Sequence, residues 1–281
     1  NHPGHGRRRF LIVIGELINS TRKNVRPAIE QRDTEAIQKM ARDQAEAGAH
    51  FIDVNSGHFI EGEPELLQWL VQTVQAAVDL PCALDSPRAS AIEAGLAVHR
   101  GQAMVNSITG ESERMEALLP VIAKAKPKVV ALCMDDTGIP GNAKARVAIA
   151  CKLIDALAGV GVPHSDVFVD PCVLPVSSAD LEGKAEHPGE IVVNVMREIR
   201  ARYPEVHLSG GLSNVSYGLP KRKLINRAAC LVYMAAGMDA AIIDPLDEYL
   251  MSLVRAAECI LNRDEMCMGY ITADREGKLV V

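Results

Sequence analysis

The chain has 281 residues, 48% of them hydrophobic, 23% charged and only 4% aromatic. That is enough aliphatic material for a large core, and it excludes disorder, collagen and coiled coil. Thirty Lys and Arg against 36 Asp and Glu leave a net charge of −6, and no basic run follows Arg7-Arg8-Arg9, which argues against a nucleic-acid partner.

Residues 1–9 read as a leader or expression remnant outside the fold, and residues 10–281 as a single domain. The apolar run from Phe10 to Ile14 is broken by Gly15 and Glu16 before it could form a signal-peptide core. No stretch reaches the roughly 18 apolar residues of a membrane span. The seven cysteines form no C-x-x-C pair and no regular framework, so they read as thiols of a reducing, cytoplasmic compartment rather than zinc ligands or disulfides.

In chain order, short β-branched runs bounded by breakers predict strands at 11–18, 50–55, 81–85, 103–108, 128–134, 166–171, 205–212 and 240–245. Most are continuous rather than alternating, as strands covered on both faces should be. Between and after them, apolar residues at three- and four-residue steps predict helices at 34–47, 64–78, 88–99, 112–125, 143–160, 188–202, 222–236 and 246–262. Eight strand–helix alternations with no linker predict an α/β fold, a (β/α)8 TIM barrel. An open doubly wound sheet is the alternative. It would normally carry a glycine-rich turn after the first strand, where this chain has Gly15-Glu16-Leu17-Ile18-Asn19. The irregular stretch 172–187 reads as a loop at the barrel mouth.

In such barrels chemistry sits at the carboxyl ends of the strands. Here these carry Glu16 and Asn19, Asp53 and Asn55, Asp85, Asn106, Met134 with Asp135, Asp170, Ser213 with Asn214, and Asp244. Any one of them could cap a helix or close a turn. Together they would ring one mouth, where carboxylates repel unless a ligand or basic groups relieve them. Lys221, Arg222 and Arg227 are candidate partners. A ring rich in acids and amides, with no glycine cradle beyond Gly210-Gly211, does not suit phosphate. It suits a neutral or cationic ligand with a dense N–H edge. Magnesium is the rival explanation. Zinc-hydrolase spacings (H-x-H, H-E-x-x-H) are absent, and His58 alone stands near the mouth.

The strand-end motifs match a known family: Gly15-Glu16-Leu17-Ile18-Asn19, Asp53-Val54-Asn55, Leu84-Asp85-Ser86, Met104-Val105-Asn106-Ser107, Thr137-Gly138-Ile139-Pro140, Val169-Asp170-Pro171 with Leu174-Pro175, and Gly211-Leu212-Ser213-Asn214-Val215-Ser216 followed by Leu224-Ile225-Asn226-Arg227. In order and at every strand from about residue 11 to 263, the chain resembles the pterin-binding methyltransferases, above all the methyltetrahydrofolate:corrinoid/iron–sulfur protein methyltransferases. The resemblance implies a mouth that takes tetrahydrofolate or 5-methyltetrahydrofolate and no protein-bound metal. It also implies a corrinoid (cobalamin) carried by a partner protein, and a homodimer. By resemblance, Asp85, Asn106 and Asp170 contact the pterin, Asn214 stands beside the reactive N5 as the catalytic residue, and Arg222 meets substrate or partner. Glu16, Asn19, Asp53, Asn55, Met134 and Asp244 are expected to support them.

The residue types suit that chemistry. A pterin's 2-amino group and adjacent ring N–H form a donor pair that a carboxylate accepts bidentately. Displacing methyl from a tertiary amine by Co(I) requires positive charge to be placed on N5. No D-x-H-x-x-G corrin motif is present, so cobalamin is expected on another polypeptide or free. Two alternatives stay open. One is dihydropteroate synthase, whose first loop is of N-x-T-x-D-S-F type against Asn19-Ser20-Thr21-Arg22-Lys23 here; the other is a non-catalytic folate-binding subunit. The loop Ser177–Pro188, with Glu182-Gly183-Lys184, is expected to bear on which corrinoid protein docks. The tail 272–281 has no functional reading.

Overall fold

A computed structural model describes residues 10–178 and 186–281. The leader at 1–9 and the Glu182-Gly183-Lys184 segment lie outside the described residues. Among these, eight strands and ten α-helices alternate: β1 (Ile12–Asn19), α1 (Arg26–Glu30), α2 (Thr34–Glu46), β2 (Phe51–Asn55), α3 (Glu63–Ala77), β3 (Cys82–Asp85), α4 (Ala89–Val98), β4 (Met104–Thr109), α5 (Ser112–Ala125), β5 (Lys128–Leu132), α6 (Ala143–Gly159), β6 (Val167–Asp170), α7 (Pro188–Arg202), β7 (His207–Leu208), α8 (Arg222–Ala235), β8 (Ala240–Ile243), α9 (Glu248–Ile260) and α10 (Met268–Arg275).

The strands pair in parallel in the order β7-β6-β5-β4-β3-β2-β1-β8. The two ends then meet: Asp239 N donates to Leu208 O at 3.1 Å and Ile242 N to Gly210 O at 3.0 Å, with a parallel bridge between Gly211 and Ile242. The sheet is therefore a closed (β/α)8 barrel, and the open doubly wound alternative is excluded.

Side-chain alternation along each strand sorts the sequence into two layers. Ile14, Phe51, Ala83, Met104, Val130, Phe168 and Ala240, with Ile12 and Ile242 against them, fill the barrel interior. The intervening residues, such as Val13, Ile52, Leu84, Val105, Val129 and Val169, face outward into the core shared with the helices. Two residues beyond most of the interior residues the same face emerges at the mouth: Ile14 leads to Glu16, Phe51 to Asp53 and then Asn55, Ala83 to Asp85, Met104 to Asn106, Phe168 to Asp170 and Ile242 to Asp244, whereas Val130 leads to Leu132. The plug and the polar mouth are thus one inward face read along the chain.

Several helix starts carry the expected caps: Asp33 accepts from Ala36 N at 3.1 Å, Asn142 from Ala145 N at 2.8 Å and Asp247 from Leu250 N at 3.2 Å. The main departures from expectation lie at β7, β5 and two extra helices. β7 spans two residues instead of 205–212, because beyond Leu208 the chain makes only single bonds to its neighbours, such as Ser209 N to Val169 O at 2.8 Å. It then winds into a 3-10 turn at Leu212–Asn214. β5 stops at Leu132, since Asp135 N and Gly138 O close a tight turn at 3.1 Å. The helix α1 has 5 residues, too short to show periodicity, and α10 buries only Ala273, so it has no apolar stripe to read.

One glycine is fixed by close approach. Gly110 N donates to Met134 O at 2.7 Å, and a Cβ added there would stand 2.9 Å from that backbone oxygen and 3.1 Å from Ile149 Cγ2. Gly110→Ala is therefore expected to lower unfolding stability by about 1–3 kcal/mol, the usual cost of overpacking, measured by urea titration.

Candidate active site

The mouth is built of carboxylates held by amides. Asn55 Nδ2 donates to Asp85 Oδ2 at 2.7 Å, and Asn106 Nδ2 to Asp53 Oδ1 at 3.0 Å. Asn55 is oriented in turn, because its Oδ1 accepts from Ser20 Oγ at 2.7 Å and Gly57 N at 3.2 Å. An Asn that spends its donor on an Asp leaves its own oxygen as an acceptor. Asp170 Oδ1 accepts from Cys172 N at 2.8 Å, closing the turn at Asp170-Pro171, and Gly211 N also donates to its carboxylate.

Around this ring, one buried and one half-buried arginine hold the loops by their carbonyls. Arg146 of α6 is fully buried; its Nη1 donates to Pro171 O at 2.6 Å and Cys172 O at 2.7 Å, and its Nε to Pro140 O at 2.8 Å. Arg114 Nη2 reaches Ser86 O and Ser107 O, each at 2.7 Å, and so joins the loops that follow Asp85 and Asn106. Glu63, also buried, accepts from Ser56 Oγ at 3.1 Å and Ser86 Oγ at 2.8 Å and pairs with Arg88.

Crowding these acids in a half-dry mouth shifts their protonation. Burial pushes Asp85 up to about 6, against the pull of Asn55 and Arg114. Burial likewise pushes Asp170 up to about 6, against its backbone donors and Arg146. Asp53 stands well above the usual carboxylate range through burial first and the charge of Asp85 second. Glu16 is raised by burial, against its bonds to Ser213 and Arg22. A ligand that donates paired N–H groups would relieve this repulsion.

For Asp170 the linkage to stability has a definite sign. A folded pKa near 6 against an ordinary 3.8 means that ionised Asp170 opposes folding fully above pH 6, and that this opposition fades as pH falls toward the ordinary value. The stability of Asp170→Asn relative to the parent should therefore shift in favour of the variant as pH rises from about 4 to about 6, and level off above it, read by urea titration of both proteins at each pH. A difference that is flat with pH would contradict the shift.

The structure brings Glu16, Asp53, Asn55, Asp85 and Asn106 together, with Asp244 near enough to act on Glu16 electrostatically, and Asp170 ends β6 on the same inward face. Asp85 does not cap the next helix, since the N-cap of α4 is Arg88. Asn214 is exposed on the rim, in the 3-10 turn rather than the left-handed region. Three expected participants stand apart from the acids. Asn19 Oδ1 accepts from Thr21 N at 2.9 Å within its own turn. Met134 packs against the outer core. Arg222 donates to Ser213 O and to Ser216 Oγ, the latter at 3.1 Å, rather than to a carboxylate. Arg227 is bound to Asp247 at 2.5 Å.

The basic groups that do relieve the mouth were not anticipated. Arg22 Nη2 binds Glu16 Oε1 at 2.6 Å, and Arg146 lies within the field of Asp170. Their signals in the sequence were faint: a basic residue shortly after the first strand, and one arginine set in the apolar face of α6. Among the described residues no three His, Cys, Asp or Glu side chains are grouped to hold a metal ion, and no helix is long and apolar enough to cross a membrane. A separate groove of about 610 Å³ runs between α7 and α8, lined by Val193, Val215, Ile225 and Val232. None of the strand-end acids reaches it.

The family model for pterin binding enzymes matches residues 15–244, from the first strand-end motif to the last. The chain belongs to the pterin-binding enzymes. Among relatives, this pterin-binding enzyme is 36% identical over 274 residues to a methylcorrinoid:tetrahydrofolate methyltransferase of Eubacterium limosum, covering 96% of this chain and 98% of the relative. It is 28% identical over 242 residues to a methionine synthase of Mycobacterium tuberculosis, covering 83% of this chain but 20% of that larger protein. Among solved structures, dihydropteroate synthase of Vibrio fischeri aligns with TM-score 0.64 at 16% identity, covering 91% of this chain and 94% of the other. That of Yersinia pestis, with a pterine–sulfa conjugate, aligns with TM-score 0.65 at 14%, covering 91% and 95%. At such identities these structures show the shared barrel alone.

Proposed function

We propose that this pterin-binding enzyme is a methyltransferase that moves a methyl group between N5 of tetrahydrofolate and the cobalt of a corrinoid held by a partner protein. The observation that carries this reading is the end-to-end similarity to the Eubacterium limosum methylcorrinoid:tetrahydrofolate methyltransferase. The mouth chemistry supports it. Asp85, with one oxygen already steadied by Asn55, and Asp170, steadied by backbone donors, are the acceptors for the 2-amino and ring N–H edge. Asn106, donating to Asp53, offers its oxygen to the same ligand.

Asn214 on the rim is assigned to N5. Its amide cannot titrate, so it acts by orienting or stabilising the charged nitrogen while the proton comes from water or a nearby acid. Arg222, on the exposed start of α8, is assigned to substrate or partner contact. The rest of the work is positioning of cobalt and methyl in line. A catalyst lowers both barriers, so the supply of methyl groups decides the direction of flux. A homodimer of cytoplasmic, single-domain chains completes the reading.

The test is spectroscopic. Catalytic enzyme added to cob(I)alamin and 5-methyltetrahydrofolate should discharge the Co(I) absorbance. Tight folate binding with no spectral change would instead favour a non-catalytic folate-binding subunit. Pyrophosphate released from a hydroxymethylpterin diphosphate and p-aminobenzoate would favour a dihydropteroate synthase.

A further inference from the structure

A line of polar contacts crosses the seam where the barrel closes. Glu16 is the inward residue of β1 that follows Ile12 and Ile14, and its side chain is 12% exposed. Its Oε1 accepts from Arg22 Nη2 at 2.6 Å and from Ser213 Oγ at 2.8 Å, the latter from 197 positions away in the chain. Ser213 is the central residue of the Leu212–Asn214 turn. Its carbonyl accepts from Arg222 Nη2, and the Arg222 guanidinium lies 6.0 Å from the centre of the Tyr217 ring.

Asn214 follows directly. Among the described residues its amide makes no hydrogen bond, while its backbone carbonyl accepts from Tyr217 N at 3.0 Å. The place of that amide is therefore set by the turn, which is anchored by Leu212 buried in the core and, as its polar side-chain tie into the barrel, by the Ser213–Glu16 bond. Packing alone does not ask for a carboxylate here. Ile12 and Ile14, earlier on the same face, show what it asks for, and Asp244 and Asp53 both repel an ionised Glu16.

We propose that Glu16 is a positioning residue for methyl transfer: through Ser213 Oγ it fixes the Leu212–Asn214 turn and so sets the Asn214 amide over the mouth. This rests on the role assigned to Asn214 above. The experiment compares Ser213→Ala, Ser213→Thr, Glu16→Ala, Asn214→Ala and the Ser213→Ala/Asn214→Ala double variant in methyl transfer from 5-methyltetrahydrofolate to free cob(I)alamin, alongside folate affinity and thermal unfolding.

Ser213→Ala and Glu16→Ala should lower kcat about tenfold to a hundredfold, the scale of a small misplacement of a reacting group. KM for the folate should stay within about threefold, as expected for an interaction made in the transition state. Ser213→Thr, which keeps the hydroxyl, should restore the rate, and Ser213→Ala should add nothing on the Asn214→Ala background. Should Glu16→Ala unfold, the Ser213 variants carry the test alone. An unimpaired Ser213→Ala beside an impaired Asn214→Ala overturns this inference and leaves the Asn214 reading standing, as does a Ser213→Ala loss repeated in full in the double variant. An unimpaired Asn214→Ala overturns the Asn214 reading itself, and the inference with it.

Discussion

Replacing Asn214 by alanine is expected to lower the methyl-transfer rate by about 10²- to 10³-fold while leaving the fold intact. The size follows from removing one preorganised hydrogen-bonding group aimed at developing charge, about 2.7–4 kcal/mol. The structure explains why the fold should tolerate it. Asn214 is exposed, its amide supports no neighbour among the described residues, and the turn is held through the Ser213 hydroxyl and carbonyl instead. Single-turnover absorbance traces with cob(I)alamin, read beside a thermal melt, separate the two effects. A full rate in the variant would remove Asn214 from the chemistry.

Asp85→Ala should weaken folate binding by about 10- to 150-fold, the equivalent of about 1.5–3 kcal/mol for hydrogen bonds to a charged group. Two losses add here: the acceptor for the pterin edge disappears, and the Asn55 amide that donates to Asp85 at 2.7 Å is left facing the mouth. Asp85→Asn should fall nearly as far, because it presents a donor where the ligand also donates. With Asp85 and Asp170 both pushed up to about 6, folate affinity of the parent should fall as pH drops through that value, since protonated acids no longer accept both bonds. Isothermal titration across that range checks the slope, and an affinity unchanged at low pH would count against carboxylate recognition.

The strand–helix alternation and the polar mouth were legible because both follow from short-range pattern. Phe51, Asp53 and Asn55 share one face by a period of two, whatever the rest of the chain does. The strand ends blurred where pairing, not propensity, decides length, as at β7. The site itself was legible only as a set of residue types. That Asn55 serves Asp85 from the neighbouring strand, and that Asn106 of β4 reaches across β3 to Asp53 of β2, are facts of register. The Glu16–Ser213 bond joins residues 197 positions apart, and no local pattern encodes it. Arg146 was hidden because long charged side chains usually lie on a solvated face, whereas here backbone carbonyls replace water around it.

The closing bonds between β7 and β8 are few, and they set the mechanics of the molecule. A stave held to its neighbour by isolated hydrogen bonds opens before those joined by a full ladder. Amide protons of Ser209 and Ile242 should accordingly trade with deuterium sooner than those of Val54 or Val105. The rim that carries Asn214 is hung on that more yielding stave, while Asp85 and Asn106 ride on the stiff wall opposite. The vitamin would thus be gripped on rigid ground and the methyl handed over at the side that can give.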